Sequence, residues 1–527
     1  MNINDLPNEI LSIIFSYLNV KNRYYNRFVC KKWNTLLAAL LGDDGWIIIH
    51  KDINVPKVSN RYNIALYDAD ININQLLPYA NRVKGLKIAC AINWESLVNF
   101  LKNIKELEHL DLTSCSASSF PNIPLHHLKI LHIGSLCSFD LGKVLSKASS
   151  LKHLTFHQSH YNSSVDNFIR NSKSLEGVHF ERIVEENRDL INLFENGINH
   201  LKVFKQSGTL TNAFLPYSNE VLEKLTISGT GLTGDLSLML LFKLASQLKF
   251  LKLATPGLRI DWNILKKVTQ LKELHISNNS GELDKSLSSL TLLKCLDVAS
   301  FSTITSSTLK ILRTNCSLLS HLNISGTSNI NNEDVNELVK CLPKLETLFL
   351  DHCFSLTFQC LIDVHIFCRN LRALSLQKLK KDETALEDVA KLKKLEYLNI
   401  AFCKLSNSWF QSTCYKLLTV IKLSHTNITD EGVLHLVKNS YRIREINLMA
   451  TEITGDCLRY LITVHSLRVL DITSCENILE EVLNEVKDNN RLNHLFSSIP
   501  TPMALDCPCI ALHQKSNVPF HKIFTIT

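Results

Sequence analysis

A six-residue pattern, L-x-x-L-x-L with aliphatic substitutes, recurs along most of this chain. Its starts are Val83, Leu107, Leu128, Leu151, Leu175, Leu201, Leu222, Leu248, Leu271, Leu293, Leu319, Leu345, Leu371, Leu395, Leu418, Ile443, Leu467 and Leu492. The mean period is about 24 residues, which is the length of one small supersecondary unit. Stacking such units lengthens a fold without adding domains. The period therefore constrains the fold more than the chain length of 527 residues does.

The alternation within the pattern predicts a short β-strand, because residues two apart lie on the same face of a strand. The leucines would face a core, and the residues between them would face outward. The rest of each period returns the chain partly as helix, for example through Leu434, Leu436 and Val437. No single repeat can bury its leucines alone, whereas stacked repeats share a core to which each buried leucine contributes roughly 1.5–3 kcal/mol. We therefore predict an α/β solenoid with a curved parallel sheet and a helical convex side.

Cysteine or threonine often follows the last aliphatic residue of the pattern by three positions. These residues are Cys115, Thr327, Cys353, Cys403, Thr426, Thr451 and Cys475, and a second set, Cys316, Cys341 and Cys368, precedes the next start. Residues 83–496 resemble the cysteine-containing leucine-rich repeat, most strongly after Leu293, and this resemblance implies buried thiols at the strand-to-loop turn. Gln206 stands where an aliphatic residue is expected, so that copy is predicted to be irregular or to mark a kink.

Composition excludes several classes of protein. Hydrophobic residues make up 45% and charged residues 20%, which is typical of a folded chain. The net charge of +7 comes without a basic arm, so we expect no nucleic-acid partner. We also expect no transmembrane helix, no signal peptide and a cytoplasmic or nuclear location, in which the 16 cysteines stay reduced.

Residues 3–41 do not follow the repeat. A helix is predicted from Glu9 to Leu18, with apolar residues nearly all round it, and a second from about Arg23 to Leu41. About 40 residues cannot bury that much apolar surface by themselves, so part of it would stay exposed for a protein partner.

The spacing of this N-terminal segment resembles an F-box. The matching positions are Leu6, Pro7, Ile10, Phe15, Leu18, Val29, Cys30 and Trp33. Together with the repeats, the chain is similar to the F-box/leucine-rich-repeat family. This resemblance implies that those eight residues contact the Skp adaptor of a cullin-based SCF-type ubiquitin ligase or form the adaptor-facing core, while the repeats bind a target protein. Val20, Arg23 and Asn26 depart from the family's usual proline and leucines, which puts the tightness of adaptor binding in question.

The predicted organisation is an F-box over 1–42, irregular first repeats over 43–82, leucine-rich repeats over 83–496 and a tail over 497–527. Trp46–Ile49 and Ile64–Tyr67 are strand-like runs within the second of these segments. The tail either caps the last strand or folds back over the concave face. Two alternatives to a ligase receptor stay open, namely an adaptor-bound protein that does not direct degradation and a ligase-independent scaffold whose N-terminal helices form a cap.

Outward strand positions line the concave face of such a solenoid, and they provide candidate target-binding residues. Histidine and lysine cluster in the first half, and three aromatic residues in the second half are expected to be exposed. The candidates are His132, His153, His157, His179, Lys205, Lys252, His275, Phe349, Tyr397 and Phe402. We hypothesise that an acidic or phosphorylated segment contacts the basic half and that the aromatic residues act as anchors. Ordinary solvated surface is the competing interpretation.

Several other motifs are weaker evidence of a functional site. Gly229, Gly231 and Gly234 spell G-x-G-x-x-G, but the next strand follows the repeat period, so the glycines are expected to serve a tight turn. His153, His157 and His160 are better explained as polar surface than as a metal site. Because no catalytic motif was found, we expect no enzymatic activity, no metal and no cofactor.

Overall fold

The computed structural model describes residues 46–49, 62–66, 71–90, 92–117, 119–184, 193, 200–209, 221–230, 246–254, 261–380, 386–405, 407–413, 415–486, 492 and 494–497. The described residues form two compact units, the first ending at Thr230 and the second beginning at Ser246. Each unit is a parallel β-sheet in which every described strand pairs with the next one along the chain.

The sheet of the first unit contains nine described strands. They are β1 Trp46–Ile49, β2 Tyr62–Leu66, β3 Val83–Ile88, β4 His109–Leu112, β5 Ile130–Ile133, β6 His153–His157, β7 Gly177–Val184, β8 Val203–Thr209 and β9 Lys224–Thr230. The helices between them are α1 Trp94–Lys102, α2 Leu141–Leu145 and α3 Ser163–Asn171, with 3₁₀ helices at Ile73–Arg82 and Gln158–His160. The two early strand-like runs of the sequence therefore form strands.

The sheet of the second unit contains eleven described strands. They are β10 Phe250–Ala254, β11 Glu273–His275, β12 Cys295–Asp297, β13 His321–Asn323, β14 Thr347–Phe349, β15 Ala373–Ser375, β16 Tyr397–Asn399, β17 Val420–Lys422, β18 Glu445–Asn447, β19 Val469–Asp471 and β20 His494–Phe496. Its helices are α4 Asp284–Leu287, α5 Ser306–Asn315, α6 Asn332–Lys340, α7 Val364–Phe367, α8 Leu386–Ala390, α9 Asn407–Ser412, α10 Asp430–Asn439, α11 Gly455–Leu461 and α12 Glu480–Val486, with 3₁₀ helices at Trp262–Lys267 and Phe358–Leu361.

Strands β4 to β20 each begin two residues after a predicted repeat start. Their central aliphatic residues face one another in register, as Leu322, Leu348 and Leu374 do, and all three are fully buried. The return segment predicted through Leu434, Leu436 and Val437 is α10, which buries Leu436 and Val437 together with Val433 and leaves Leu434 half-buried. The leucine-rich-repeat fold predicted from the sequence is therefore confirmed. The boundaries of the segments over 43–82 and 497–527 remain predictions.

The cysteine and threonine side chains at the turns are buried and hydrogen-bonded. The Sγ of Cys353 lies 3.4 Å from the carbonyl oxygen of Ile324, to which Thr327 Oγ1 also donates at 2.9 Å. Cys403 contacts the carbonyl of Leu376 in the same way, at 3.2 Å. The prediction of buried thiols is thus confirmed for the turn positions and for Cys316 and Cys368, but it is wrong for Cys341, which is exposed at the end of α6.

Each described turn of the second unit from β11 to β19 places one residue in the left-handed backbone region. This residue lies five positions after the first residue of the strand, and the set is Asn278, Ser300, Gly326, His352, Lys378, Phe402, His425, Ala450 and Ser474, with φ between 54° and 75°. From Asn278 to Ala450, the backbone N–H donates to a carbonyl of the following repeat, for example from His352 to Gln377 at 2.8 Å. This region costs little for glycine and more for side chains with a Cβ.

The irregular copy at Leu201 keeps its strand. Gln206 lies in the core row between Phe180 and Ile227 of the neighbouring strands and is 1% exposed. Both polar atoms of its amide lack a hydrogen-bond partner. The pairing of β7 with β8 shifts register between Phe180 and Ile183, and Arg182 there has a φ of 51°. The predicted irregularity is thus a bulge in the strand beside Gln206.

No helix in the described part of the chain is both long and apolar enough to cross a membrane.

Candidate functional site

The residues predicted to contact an adaptor lie outside the described part of the chain. They are Leu6, Pro7, Ile10, Phe15, Leu18, Val29, Cys30 and Trp33, together with the departures Val20, Arg23 and Asn26. The described candidates are those on the outward face of each sheet, meaning the face formed by the residues that alternate with the buried leucines.

In the first unit, the register brings His132, Thr155, His179 and Lys205 into one row across β5 to β8. A parallel row contains His109 and His153, with Ile130 between them. The rings of His109 and His132 stack with centroids 5.4 Å apart. Three of the predicted residues, His132, His153 and His179, therefore share a surface with Lys205.

The histidines of this surface are predominantly neutral near pH 7. Burial, together with nearby positive charge from His132 or Lys205, lowers the pKa of His109 and of His179 to about 4. Burial also lowers the pKa of His132 and of His153. Lysine therefore supplies most of the positive charge of this surface, while the imidazoles supply neutral hydrogen-bonding groups.

A glycine in β7 makes room for one of these rings. A Cβ placed on Gly177 would lie 2.8 Å from Nδ1 of His153, so the imidazole covers the backbone of the next strand. The other two members of the sequence cluster, His157 and His160, are engaged by contacts within the fold. His157 Nδ1 lies 2.9 Å from Ser159 Oγ, and the Nε2 of His160, which is buried, lies 2.9 Å from the carbonyl oxygen of Gly134.

In the second unit, Lys252 and His275 are paired in register on β10 and β11. His275 was expected on an open surface but is only 3% exposed, because its ring lies between Asp297, at 3.6 Å from Nδ1, and Cys295, at 3.8 Å from Nε2. Burial opposes protonation of this ring, but contacts with Asp297, Cys295 and Glu273 raise its pKa well above the usual range. The expectation of exposure was wrong for His275.

Phe349 was also expected to be exposed, and that expectation was wrong. It is 8% exposed, because the rings of Phe349 and Tyr397 pack together across β15, with their centroids 6.1 Å apart. Ala373 and Ser375, the residues of β15 that face them, are small and 1% exposed. Tyr397 is half-buried and Phe402 is 39% exposed, so Phe402 is the aromatic candidate that meets the expectation fully.

Many outward residues serve the fold instead. The side chain of Asp or Asn at the last outward strand position accepts a hydrogen bond from the N–H two residues later, as in Asp111 from Thr113, Asn323 from Ser325 and Asn447 from Met449. These are Asx turns, which finish the strand locally. Positions that lack Asp or Asn and are not buried are therefore the better candidates for contacts with a partner, and they include His132, His179, Lys205 and Lys422.

Sequence reasoning missed several residues of this face. His109 occupies the first outward position of its strand and belongs to this face because its ring stacks on that of His132. Lys378 and His425 follow the strands in the left-handed turn position, which has no hydrophobic signature. Lys378 Nζ lies 4.7 Å from the centre of the Phe402 ring, and Lys422 Nζ lies 5.9 Å from that of Tyr397.

The remaining motifs do not form sites in the described residues. Gly229 was expected in a tight turn but belongs to strand β9, where it pairs with Gly208. Gly231 and Gly234 lie outside the described residues. Across the described ranges, no group of three or more His, Cys, Asp or Glu side chains is placed to hold a metal ion.

The repeats, their parallel strands and their turn residues define a leucine-rich-repeat protein. A family model described as F-box-like matches residues 3–40. An F-box/LRR-repeat protein of Arabidopsis thaliana, number 12 of its series, is 31% identical over 88 residues, which are 16% of this chain and 22% of that protein. The chain thus combines an F-box-like segment with leucine-rich repeats, and its sequence match spans only about a fifth of that relative.

Solved structures similar to this chain include a leucine-rich-repeat protein of Leptospira interrogans, with 17% identity and a TM-score of 0.43, covering 72% of this chain and 95% of the other. Another is the mouse RP105/MD-1 complex, with 16% identity and a TM-score of 0.45, covering 82% of this chain and 86% of the other.

Proposed function

We propose that this chain is the substrate-recognition subunit of an SCF-type ubiquitin ligase. An F-box-like segment combined with leucine-rich repeats fits an adaptor-binding recognition role in general. In the proposal, the F-box docks to a Skp adaptor on a cullin scaffold. The repeats hold a target protein for ubiquitination and proteasomal degradation, in the cytoplasm or nucleus, and the chain itself supplies no catalytic group.

The observation that carries the proposal is the F-box-like match at residues 3–40, ahead of a long array of repeats. The target would bind the outward face. In the first unit the candidate residues are His132, His153, His179 and Lys205, with His157 at the end of its strand. In the second unit they are Lys252, Tyr397 and Phe402, with the buried His275 beside Lys252 and the buried Phe349 near Tyr397. An acidic or phosphorylated segment is the proposed ligand of the basic surface.

Co-purification tests this proposal. The full chain should recover the Skp adaptor and the cullin, and a triple variant, Leu6→Ala/Pro7→Ala/Trp33→Ala, should lose both. A matched triple variant at exposed positions of the repeats, Lys344→Ala/Lys416→Ala/Glu452→Ala, should retain them. Absence of the adaptor from wild-type preparations would reject the ligase role and favour the ligase-independent scaffold. Adaptor binding without any change in the lifetime of bound proteins would favour a non-degradative role.

A further inference from the structure

Four consecutive turns of the second unit carry large side chains at the left-handed backbone position. They are His352, Lys378, Phe402 and His425, with φ values of 57°, 63°, 60° and 54°. We call these four residues the rim strip. The other turns of this ladder carry residues that are small or that tolerate this conformation, namely Asn278, Ser300, Gly326, Ala450 and Ser474.

Residues other than glycine are uncommon at such positions, because the Cβ crowds the backbone there, and of the four only histidine is among the types found there more often than most. Unfavourable backbone conformations persist where the surrounding structure fixes them, and they concentrate at sites of function. Here the backbone is fixed by hydrogen bonds from the N–H groups of Lys378, Phe402 and His425 to Ala401, Ser424 and Met449, at 2.8–3.0 Å. The four large side chains lie on successive turns and therefore form one continuous surface.

The rim strip presents an aromatic face beside a cation. The ring of His425 stacks on that of Phe402, with centroids 4.2 Å apart and planes 15° apart. Lys378 Nζ lies 4.7 Å from the centre of the Phe402 ring. His425 is exposed and Phe402 is 39% exposed, so the stack is open to a partner. Phe354, which is 55% exposed, contacts His352 edge-on at 5.9 Å and extends the aromatic surface.

The charge next to the strip favours an anionic partner. Lys422 lies on the strand that precedes His425. The nearby carboxylate of Asp351 accepts hydrogen bonds from Ser375 Oγ at 2.6 Å and from the N–H of Gln377 at 2.8 Å. Burial raises the pKa of Asp351, and both hydrogen bonds engage its carboxylate within the fold.

We propose that the rim strip binds a peptide segment in which an acidic residue is next to an aromatic one. The aromatic side chain packs on the Phe402–His425 stack, and the carboxylate pairs with Lys378. This inference deepens the proposed function and rests on it, because it assigns part of the target-binding surface. A peptide fits better than nucleic acid, since the strip holds a single lysine and no arginine.

The first test is binding of defined polymers to the full chain, measured by fluorescence anisotropy. A labelled glutamate–tyrosine copolymer should bind more tightly than polyglutamate, and a lysine–tyrosine copolymer should not bind. The double variant Lys378→Asn/His425→Asn should weaken binding of the glutamate–tyrosine copolymer about tenfold, as expected for loss of one charged contact and one stacking surface. Equal binding of the lysine–tyrosine copolymer, or tighter binding of oligodeoxythymidylate, would overturn the assignment.

The second test separates binding from folding. Asparagine tolerates the left-handed region, so the double variant should have an unchanged or higher unfolding temperature while it binds less. Ala450→Asn makes the same kind of change one repeat further on, and Lys344→Asn removes an equal charge at an exposed position. Both controls should bind the copolymer as the wild type does.

A lower unfolding temperature together with lost binding would make the strip a structural element and overturn the proposal, as would unchanged binding by the double variant. These outcomes are independent of adaptor recovery. Copolymer binding without the adaptor would reject only the ligase role, and adaptor binding without the copolymer would reject only the rim strip.

Discussion

The imidazole of His425 stacks on the phenyl ring of Phe402, at a centroid separation of 4.2 Å, although the two residues lie on different repeats. Both backbones are left-handed, and each donates its N–H to the following repeat. The hydrogen bonds between successive turns therefore fix the spacing of the turn side chains as well as the path of the backbone.

Replacement of Ala450 with glycine should stabilise the protein. Ala450 has a φ of 54°, and glycine adopts this conformation without crowding of a Cβ, so we expect a gain of up to about 1 kcal/mol in the free energy of unfolding. Urea denaturation measures this change. Ala401→Gly is the matched control, since Ala401 is 3% exposed outside the left-handed ladder and should lose stability. A loss of stability in Ala450→Gly would show that the turn is not strained.

Replacement of Gln206 with leucine should also stabilise the protein. The amide of Gln206 is buried without a hydrogen-bond partner between Phe180 and Ile227, and such burial costs about 1–3 kcal/mol. Leucine has a similar length and no polar group to desolvate. The unfolding midpoint of Gln206→Leu should rise, whereas that of Gln206→Glu should fall. A lower midpoint for the leucine variant would mean that the amide is satisfied in solution.

Stability should fall between about pH 6.5 and pH 4 through the histidines of the first unit. His109 and His179 have folded pKa values of about 4, below the unfolded value of 6.5, so the unfolded chain binds more protons in this range. Their contribution is fully present above pH 6.5 and is lost as the pH falls toward 4. The urea midpoint should drop less between about pH 7.5 and pH 5 in His109→Gln/His179→Gln than in the wild type. Identical drops in the two proteins would contradict the lowered pKa values.

Cys341 should react first among the described cysteines. It is exposed, whereas Cys368, at the equivalent end of the next repeat, is fully buried, and burial raises the pKa of the Cys368 thiol to about 12. In a timed reaction of the native protein with an aromatic disulfide reagent, Cys341→Ser should remove about one equivalent of fast-reacting thiol. Cys368→Ser should leave the fast phase unchanged, and loss of that phase in Cys368→Ser would reject the assignment.

The repeat fold could be predicted because the leucine period is a property of the core. Leu322, Leu348 and Leu374 must align for any of them to be buried, so sequence spacing fixes strand spacing. Exposure could not be predicted in this way. Phe349 is covered because Ser375, one strand away, is small, and His275 is covered because Asp297 and Cys295 close around it. Those contacts join residues of different repeats, so the sequence pattern of a single repeat does not predict them.

The candidate site was predicted only in part for the same reason. The row of His132, His179 and Lys205 follows from alternation along the strands. The positions of Lys378 and His425 depend on backbone dihedral angles after the strand, where alternation ends. The Asx turns of Asn323 and Asn447 likewise required geometry, since an outward asparagine looks like a binding residue until its hydrogen bond is known.

The thiol hydrogen bonds give the array a direction. Cys353, Cys403 and Cys475 each reach back to a carbonyl of the preceding repeat, at Ile324, Leu376 and Leu448, while the N–H groups of the turns reach forward. The two ends of a shortened array are therefore chemically different. Removing repeats from the carboxyl end leaves the N–H groups of the last turn without acceptors, as would happen to His352 without Gln377. Removing them from the amino end leaves a buried thiol without its carbonyl, and it also leaves the N–H groups that begin a strand, such as those of Glu346 and Thr347, without the carbonyl of Ser320. A shortened form of this protein should accordingly need a capping segment at either boundary, with acceptors placed beside a turn at the carboxyl end and beside the start of a strand at the amino end.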